Sequence, residues 1–302
     1  MKRRNAILNL ALGVGGITMG AQAANARGAG NRSNQKTQHM DILTPDTSNG
    51  NINHSVCRWC YGSIPMEAFI EGVKEIDGLK SIELTTAEEW PLLIRNGLTA
   101  ALGTGPFASI PNGFNDPKNH EKLYDPYIDL INKAAEHGIP SVIVFSGNRR
   151  GMDDKVGLEN CAVGLDKIVK HAEKMGVTVV MELLNSKVNH KDYMCDHTPW
   201  GAELVEKIGS DRFKLLYDIY HMQIMEGDVI ATIRKYKDHI AHYHTGGVPG
   251  RNEIDETQEL FYPAIMKAIV ETGYKGYVAQ EFVPSWDDKL AALRHGVKTC
   301  DV

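Results

Sequence analysis

Cysteine is scarce in this chain. Five occur in 302 residues, at no regular spacing, which leaves no disulfide framework to staple a small fold. Basic excess is absent as well. Lys and Arg number 33 against 38 Asp and Glu, a net charge of −5, where a nucleic-acid binder normally shows a basic balance or patch. No long uncharged apolar run follows the first 26 residues, which excludes a multi-span membrane protein. No G-x-G-x-x-G occurs, so the phosphate turn that usually marks an open, doubly wound sheet is missing. With 12 Pro, 42% hydrophobic and 24% charged residues, the composition fits neither a fibre nor a coiled coil. What remains is a globular chain long enough to bury a core without staples, as one large domain or two smaller ones.

The N-terminus reads as an address. Lys2, Arg3 and Arg4 precede an uncharged stretch from Asn5 to Ala26, and Ala21-Gln22-Ala23 fits a small-residue cleavage site. Paired arginines before a mildly apolar run suggest the twin-arginine export route, with periplasmic residence after cleavage and no stable membrane anchor. Residues 1–23 are therefore expected to be a signal peptide. Residues 24–50, rich in Ala, Asn, Gly and Ser and without apolar period, are expected to be a disordered linker.

From residue 51 to the end, short apolar runs alternate with amphipathic stretches. The runs at 52–57, 80–84, 98–102, 140–145, 177–183, 213–217, 239–244 and 276–282 read as strands. Helices are expected over 64–77, 119–137, 155–175, 200–208 and 257–272, with Gly138, Gly176, Gly209 and Gly273 as stop signals. Eight strand-then-helix units in about 250 residues predict a single α/β domain, a closed (β/α)8 TIM barrel over 51–302.

In such a barrel the chemistry sits at the C-terminal strand ends. Four consecutive strands end in a metal-type ligand: Glu182, Asp218, His244 and Glu281. They are 36, 26 and 37 residues apart, each close to one strand-plus-helix unit, so barrel closure gathers them at one mouth. Three carboxylates and one imidazole form a hard, mostly oxygen donor set. It suits a divalent metal ion, Mn²⁺ or Mg²⁺ first, with Co²⁺ or Zn²⁺ open. Other polar residues near strand ends are Trp59, Asn112–Asn115, Ser146–Arg150, and Asn185 with His190 in the run after Glu182. His54 on the first strand is expected to reach the pocket. His242 shares a strand face with His244 and is expected to line the barrel beneath the metal. Cys57-Arg-Trp-Cys60 is a C-x-x-C without a second pair, weak as a redox or zinc motif.

Two segments carry a family resemblance. Asp218-Ile-Tyr-His221 resembles the D-x-x-H of hydroxypyruvate isomerases and ketose 3-epimerases. His242-Tyr-His244 followed by Pro249-Gly250-Arg251-Asn252-Glu253 is similar to their H-x-[QH] and P-G-R-x-E. The resemblance covers roughly 52–302, the whole xylose isomerase-like TIM barrel. His244 stands where bacterial hydroxypyruvate isomerases carry Gln and ketose epimerases carry His. Ile254–Glu259 replaces an E-P-G-T-G-E run. The resemblance implies proton transfer by Glu182 and Glu281 and substrate contacts from His221 and Arg251. The expected activity is isomerisation or epimerisation of a small hydroxy-carbonyl compound, hydroxypyruvate or a sugar, through an enediolate. Hydrolysis or lyase chemistry on the same barrel, or sugar binding without turnover, are the alternatives. The expected partner is a small molecule, not a nucleic acid; a homo-oligomer stays open.

Overall fold

Seven regular strands build one curled parallel sheet. They are β1 (Asn53–Cys57), β2 (Leu79–Glu83), β3 (Ser141–Val144), β4 (Thr178–Glu182), β5 (Phe213–Asp218), β6 (Ile240–Thr245) and β7 (Tyr277–Gln280). The structure, a computed structural model, describes residues 48–302. The expected signal peptide, and the expected linker up to residue 47, lie outside the described residues. The strands are short and rich in Val, Ile and Leu, and nearly every position is buried, as in a parallel sheet covered by helices. Their order is β2-β1-β7-β6-β5-β4-β3, so β1 pairs with β7 and the sheet curls towards closure.

The gap between β2 and β3 is filled by the run expected as a strand at 98–102. It is a partial stave rather than a regular strand. Thr99 exchanges hydrogen bonds with Lys80 and Ile82, and Gly103 does so with Ser141 and Ile143. Between them the Ala101 N–H turns to the Ser81 hydroxyl, which replaces a ladder bond. The segment Thr99-Ala-Ala-Leu-Gly103 is also poor in β-branched residues, and a Cβ on Gly103 would stand 2.6 Å from the Trp90 ring. With this stave the sheet is an eight-position barrel.

Helices cover the outside. The expected ones appear at Met66–Lys74, His120–His137, Asp154–Met175, Thr198–Ile208 and Tyr262–Glu271. Three end on the left-handed glycines Gly138, Gly176 and Gly209. The last starts at Tyr262 rather than 257, where Pro263 sits at the helix start and the preceding residues form a loop. Ile219–Met225 was not foreseen as a helix. Ile219, Tyr220, His221, Met222 and Met225 are all buried, so the segment shows no polar face to betray a period. Among the described residues no helix is long and apolar enough to cross a membrane.

The described end of the expected linker is not free. The Ser48 N–H donates to Asp77 (2.8 Å) and the Asn49 N–H to Asp301 (2.8 Å), tying this stretch to the floor of the barrel. Residues 48 and 49 thus pack against the barrel domain.

Candidate metal centre and active site

The strands deliver their carboxylates to one place. Glu182 ends β4, Asp218 ends β5, His244 sits near the end of β6, and Glu281 follows β7 directly. One donor atom from each of the four lies within 4.8 Å of the other three, and all four residues are buried. His244 Nδ1 stands 2.6 Å from Glu281 Oε2 and 3.5 Å from Glu182 Oε1. β4 to β7 are neighbours in the sheet, which makes this convergence a direct result of barrel curvature.

Asp218 serves two elements at once. Its Oδ1 accepts the His221 backbone N–H (3.1 Å) as the N-cap of helix Ile219–Met225, while Oδ2 faces the site. The cap sets the first helical turn and so places the buried His221 ring 3.6 Å from Oδ2. This is the physical content of the D-x-x-H spacing. The Asn185 backbone N–H donates to His221 Nδ1 (3.2 Å), and the His190 ring lies 5.2 Å from the His221 ring.

Arg251 reaches in from the loop after β6. Its Nη2 lies 3.0 Å from Asp218 Oδ2 and 2.5 Å from Glu281 Oε2, and its Nη1 lies 3.0 Å from His221 Nε2. The guanidinium is held between Trp59 and Tyr220, 5.4 and 5.2 Å from the ring centroids. Trp59 also donates its indole N–H to Glu281 Oε1 (2.7 Å) while half of its surface stays exposed, so it walls the site. The loop itself is fixed by Gly247, where a Cβ would come within 2.4 Å of the Glu253 carbonyl. Buried Glu253 accepts from the Ser285 hydroxyl (2.8 Å) and the Trp286 N–H (2.9 Å), locking the Arg251 loop to the segment after Glu281. That contact explains the final Glu of P-G-R-x-E.

The electrostatics are those of a crowded anionic site. Burial pushes the Asp218 carboxyl from 3.8 to about 8; Arg251 opposes the shift, and Glu281 and Glu182 add to it. Burial likewise raises Glu182. Glu281 goes the other way: burial alone would raise it, but Arg251 and His244 hold it well below the usual carboxylate range. Burial opposes a charge on His244, and the facing Cys57, Glu281 and Glu182 outweigh it and raise its pKa. Three buried carboxylates and an imidazole aimed at one point fit a hard divalent cation in chemistry and in spacing.

Of the residues singled out from sequence, Glu182, Asp218, His221, His244, Arg251 and Glu281 come together, with Asn185 and His190 behind His221. His54 does not. It lies at the start of β1, three residues and about 10 Å before Cys57 at the site end. Its nearest ionic group is Asp301, at 3.6 Å on the barrel floor. Cys57 faces His244 inside the barrel, and the odd offset of three residues puts His54 on the opposite face of the strand. Asn115 and Arg149 serve loop structure, bonded to the Asn148 carbonyl and to Asp196. All five cysteines are free and buried, and Cys57 Sγ stands 3.8 Å from His244 Nε2.

Sequence reasoning assigned no role to Glu83. It ends β2 and is fully buried, and its Oε1 meets both His242 Nε2 (2.8 Å) and His244 Nε2 (2.9 Å). Its signal was the one used for the four donors, a carboxylate closing an apolar strand, but on a strand outside the consecutive set.

Comparison with known proteins agrees with the barrel fold. A family model described as xylose isomerase-like TIM barrel matches residues 66–299. The chain belongs to this family. Among its relatives are a 2-oxo-tetronate isomerase from Cupriavidus necator, 28% identical over 227 residues, covering 72% of this chain and 85% of that protein. A hydroxypyruvate isomerase from Escherichia coli is 33% identical over 119 residues, covering 38% of this chain and 46% of that protein. The chain spans about half the length of several of the curated relatives it matches. Solved structures with the same fold include an AP endonuclease of family 2 from Brucella melitensis, with TM-score 0.71, 21% identity, and coverage of 80% of this chain and 96% of that one. An L-ribulose 3-epimerase has TM-score 0.68, 18% identity, and coverage of 82% and 92%.

Proposed function

We propose that this member of the xylose isomerase-like family is a metal-dependent isomerase or epimerase of a small hydroxy-carbonyl compound, hydroxypyruvate or a sugar. The observation that carries the reading is the placement of Glu182 and Glu281. They come from strands on either side of β5 and β6, yet both reach the same His244 ring, so they can face opposite sides of a substrate held at that point.

Glu182, Asp218, His244 and Glu281 are the residues that would hold a divalent ion, Mn²⁺ or Mg²⁺ by their oxygen content. When bound, it supplies Lewis-acid stabilisation for the negative charge that develops on substrate oxygens. One glutamate takes the proton from the carbon beside the carbonyl and the other delivers a proton, through an enediolate. Burial raises the Glu182 carboxyl, whereas Arg251 and His244 hold Glu281 low, so the two carboxylates are unequal as proton carriers. His221 and Arg251 offer N–H groups to substrate oxygens, Arg251 as a planar fork for a carboxylate or terminal hydroxyl. Asn185 and His190 orient His221 and line the wall behind it. His54 has no part in this scheme.

The isomerase and epimerase names borne by relatives favour this reading over hydrolysis. The exported, periplasmic location expected from residues 1–23 belongs to the same proposal and points towards a sugar more than a central keto acid. The test is a panel of keto acids, ketoses and oxidised sugars, with solvent deuterium exchange read by NMR before and after chelation. Chelation should abolish exchange, and Mn²⁺ or Co²⁺ should restore it. Full turnover in metal-free protein would sink the four-donor reading.

A further inference from the structure

The geometry points to Glu83 as a positioning residue that fixes which nitrogen of His244 faces the donor cluster. The inference rests on the metal-centre reading above and deepens it.

Glu83 reaches across the barrel. It ends β2, and β1 and β7 separate that strand from β6 in the sheet, yet its Oε1 lies 2.9 Å from His244 Nε2 and 2.8 Å from His242 Nε2. All three side chains are buried, so no solvent competes for these bonds. One buried carboxylate oxygen facing two imidazole nitrogens serves both as an acceptor, so both Nε2 atoms carry protons. For a neutral His244 this leaves the lone pair on Nδ1. That is the nitrogen 2.6 Å from Glu281 Oε2 and 3.5 Å from Glu182 Oε1, pointing into the donor cluster.

His242 holds the carboxylate from the other side. It alternates with His244 on the inner face of β6, and the two rings meet edge to face at 5.2 Å. With both imidazoles on Oε1, the carboxylate cannot swing without losing one of them. Cys57, 3.9 Å from the same oxygen, is kept a neutral thiol by burial and does not displace it. A carboxylate hydrogen-bonded behind an imidazole ligand raises the basicity of the ring and fixes its orientation, and loss of such a partner typically costs 10- to 100-fold in metal affinity.

The experiment uses the full-length protein with ¹⁵N-labelled histidine. In the metal-free protein His244 Nε2 should carry a proton, and on addition of Zn²⁺ the Nδ1 resonance should move while the Nε2 proton persists. Glu83→Gln should then weaken Mn²⁺ binding, read by calorimetric titration, by roughly 10- to 100-fold with circular dichroism unchanged. Turnover lost in this variant should return at excess Mn²⁺, which damage to the active-site geometry alone would not allow. Zn²⁺ on Nε2 of His244 overturns the proposal in the unmodified protein, whether or not the variant folds. Wild-type Mn²⁺ affinity in a folded Glu83→Gln also overturns it. A parent protein that binds neither ion with one-to-one stoichiometry is a different result, because it overturns the metal-centre reading itself.

Discussion

Arg251 Nη2 lies 3.0 Å from Asp218 Oδ2 and 2.5 Å from Glu281 Oε2, so one guanidinium supplies positive charge to two of the four donors. A divalent cation on those donors would compete for the same carboxylates. Its arrival would free the guanidinium for a substrate oxygen. The His221 ring points the same way. Asn185 N–H groups face its Nδ1 and Arg251 its Nε2, and a neutral imidazole cannot accept at both nitrogens.

Arg251→Met should therefore bind Mn²⁺ at least as tightly as the parent protein. Its kcat/KM should fall by about 10- to 100-fold, the worth of one lost charge-assisted hydrogen bond. Metal titration beside steady-state kinetics reads both. Mn²⁺ affinity ten times weaker would show that Arg251 braces the donors instead of competing for them.

The two glutamates are separable from the metal by conservative exchange. Glu182→Gln and Glu281→Gln keep shape and an oxygen donor but lose the base. Each should retain the fold and part of the metal and lose roughly 10²–10⁴-fold in turnover. One of the pair should still wash a substrate proton into solvent without forming product. Near-normal turnover with metal bound would remove that glutamate from the mechanism.

Asp218 makes a signed prediction in pH. Its carboxyl moves from 3.8 to about 8 in the metal-free fold, chiefly through burial. A folded value above the unfolded one gives stability that is complete below pH 3.8 and is lost as pH rises through about 8. Metal binding needs the ionised form and runs oppositely. Below pH 8, each unit of acidification should weaken Mn²⁺ binding at least about tenfold, since the raised His244 and Glu182 must also give up protons. Melting of metal-free protein should fall from pH 6 to 9 while the gain on adding Mn²⁺ widens. A flat affinity profile over that range would mean that Asp218 is already ionised.

The cap and donor roles of the same residue also come apart. Asp218→Asn keeps an oxygen for the His221 N–H, whereas Asp218→Ala loses it. Both variants should lose most metal affinity, but the alanine should be less stable than the asparagine by about 1 kcal/mol, the usual worth of an N-cap. Equal melting curves for the two would show that the cap contributes nothing.

The donor set was legible because each member closes an apolar run and the runs recur at barrel spacing. The fold was legible for the same reason, from alternation along the chain. Glu83 obeys the first rule and still escaped, since its partners His242 and His244 are 159 and 161 residues away and only barrel closure brings them near. His54 fails for a simpler cause. It stands one residue before Ser55 and three before Cys57, which both face the barrel interior, so strand alternation turns it outward, and it lies near the floor beside Asp301. Helix Ile219–Met225 left no trace in the pattern because it is only seven residues long and five of them are buried.

The incomplete stave at 99–103 interrupts the ring of strands at one place, between β2 and β3. A few backbone bonds and the Ser81 hydroxyl hold that seam, whereas β4 to β7 form an unbroken run of paired strands beneath the donors. Amide protons at the seam should exchange with solvent first. The four donors thus stand on fully paired strands, and the seam lies elsewhere in the ring, between β2 and β3.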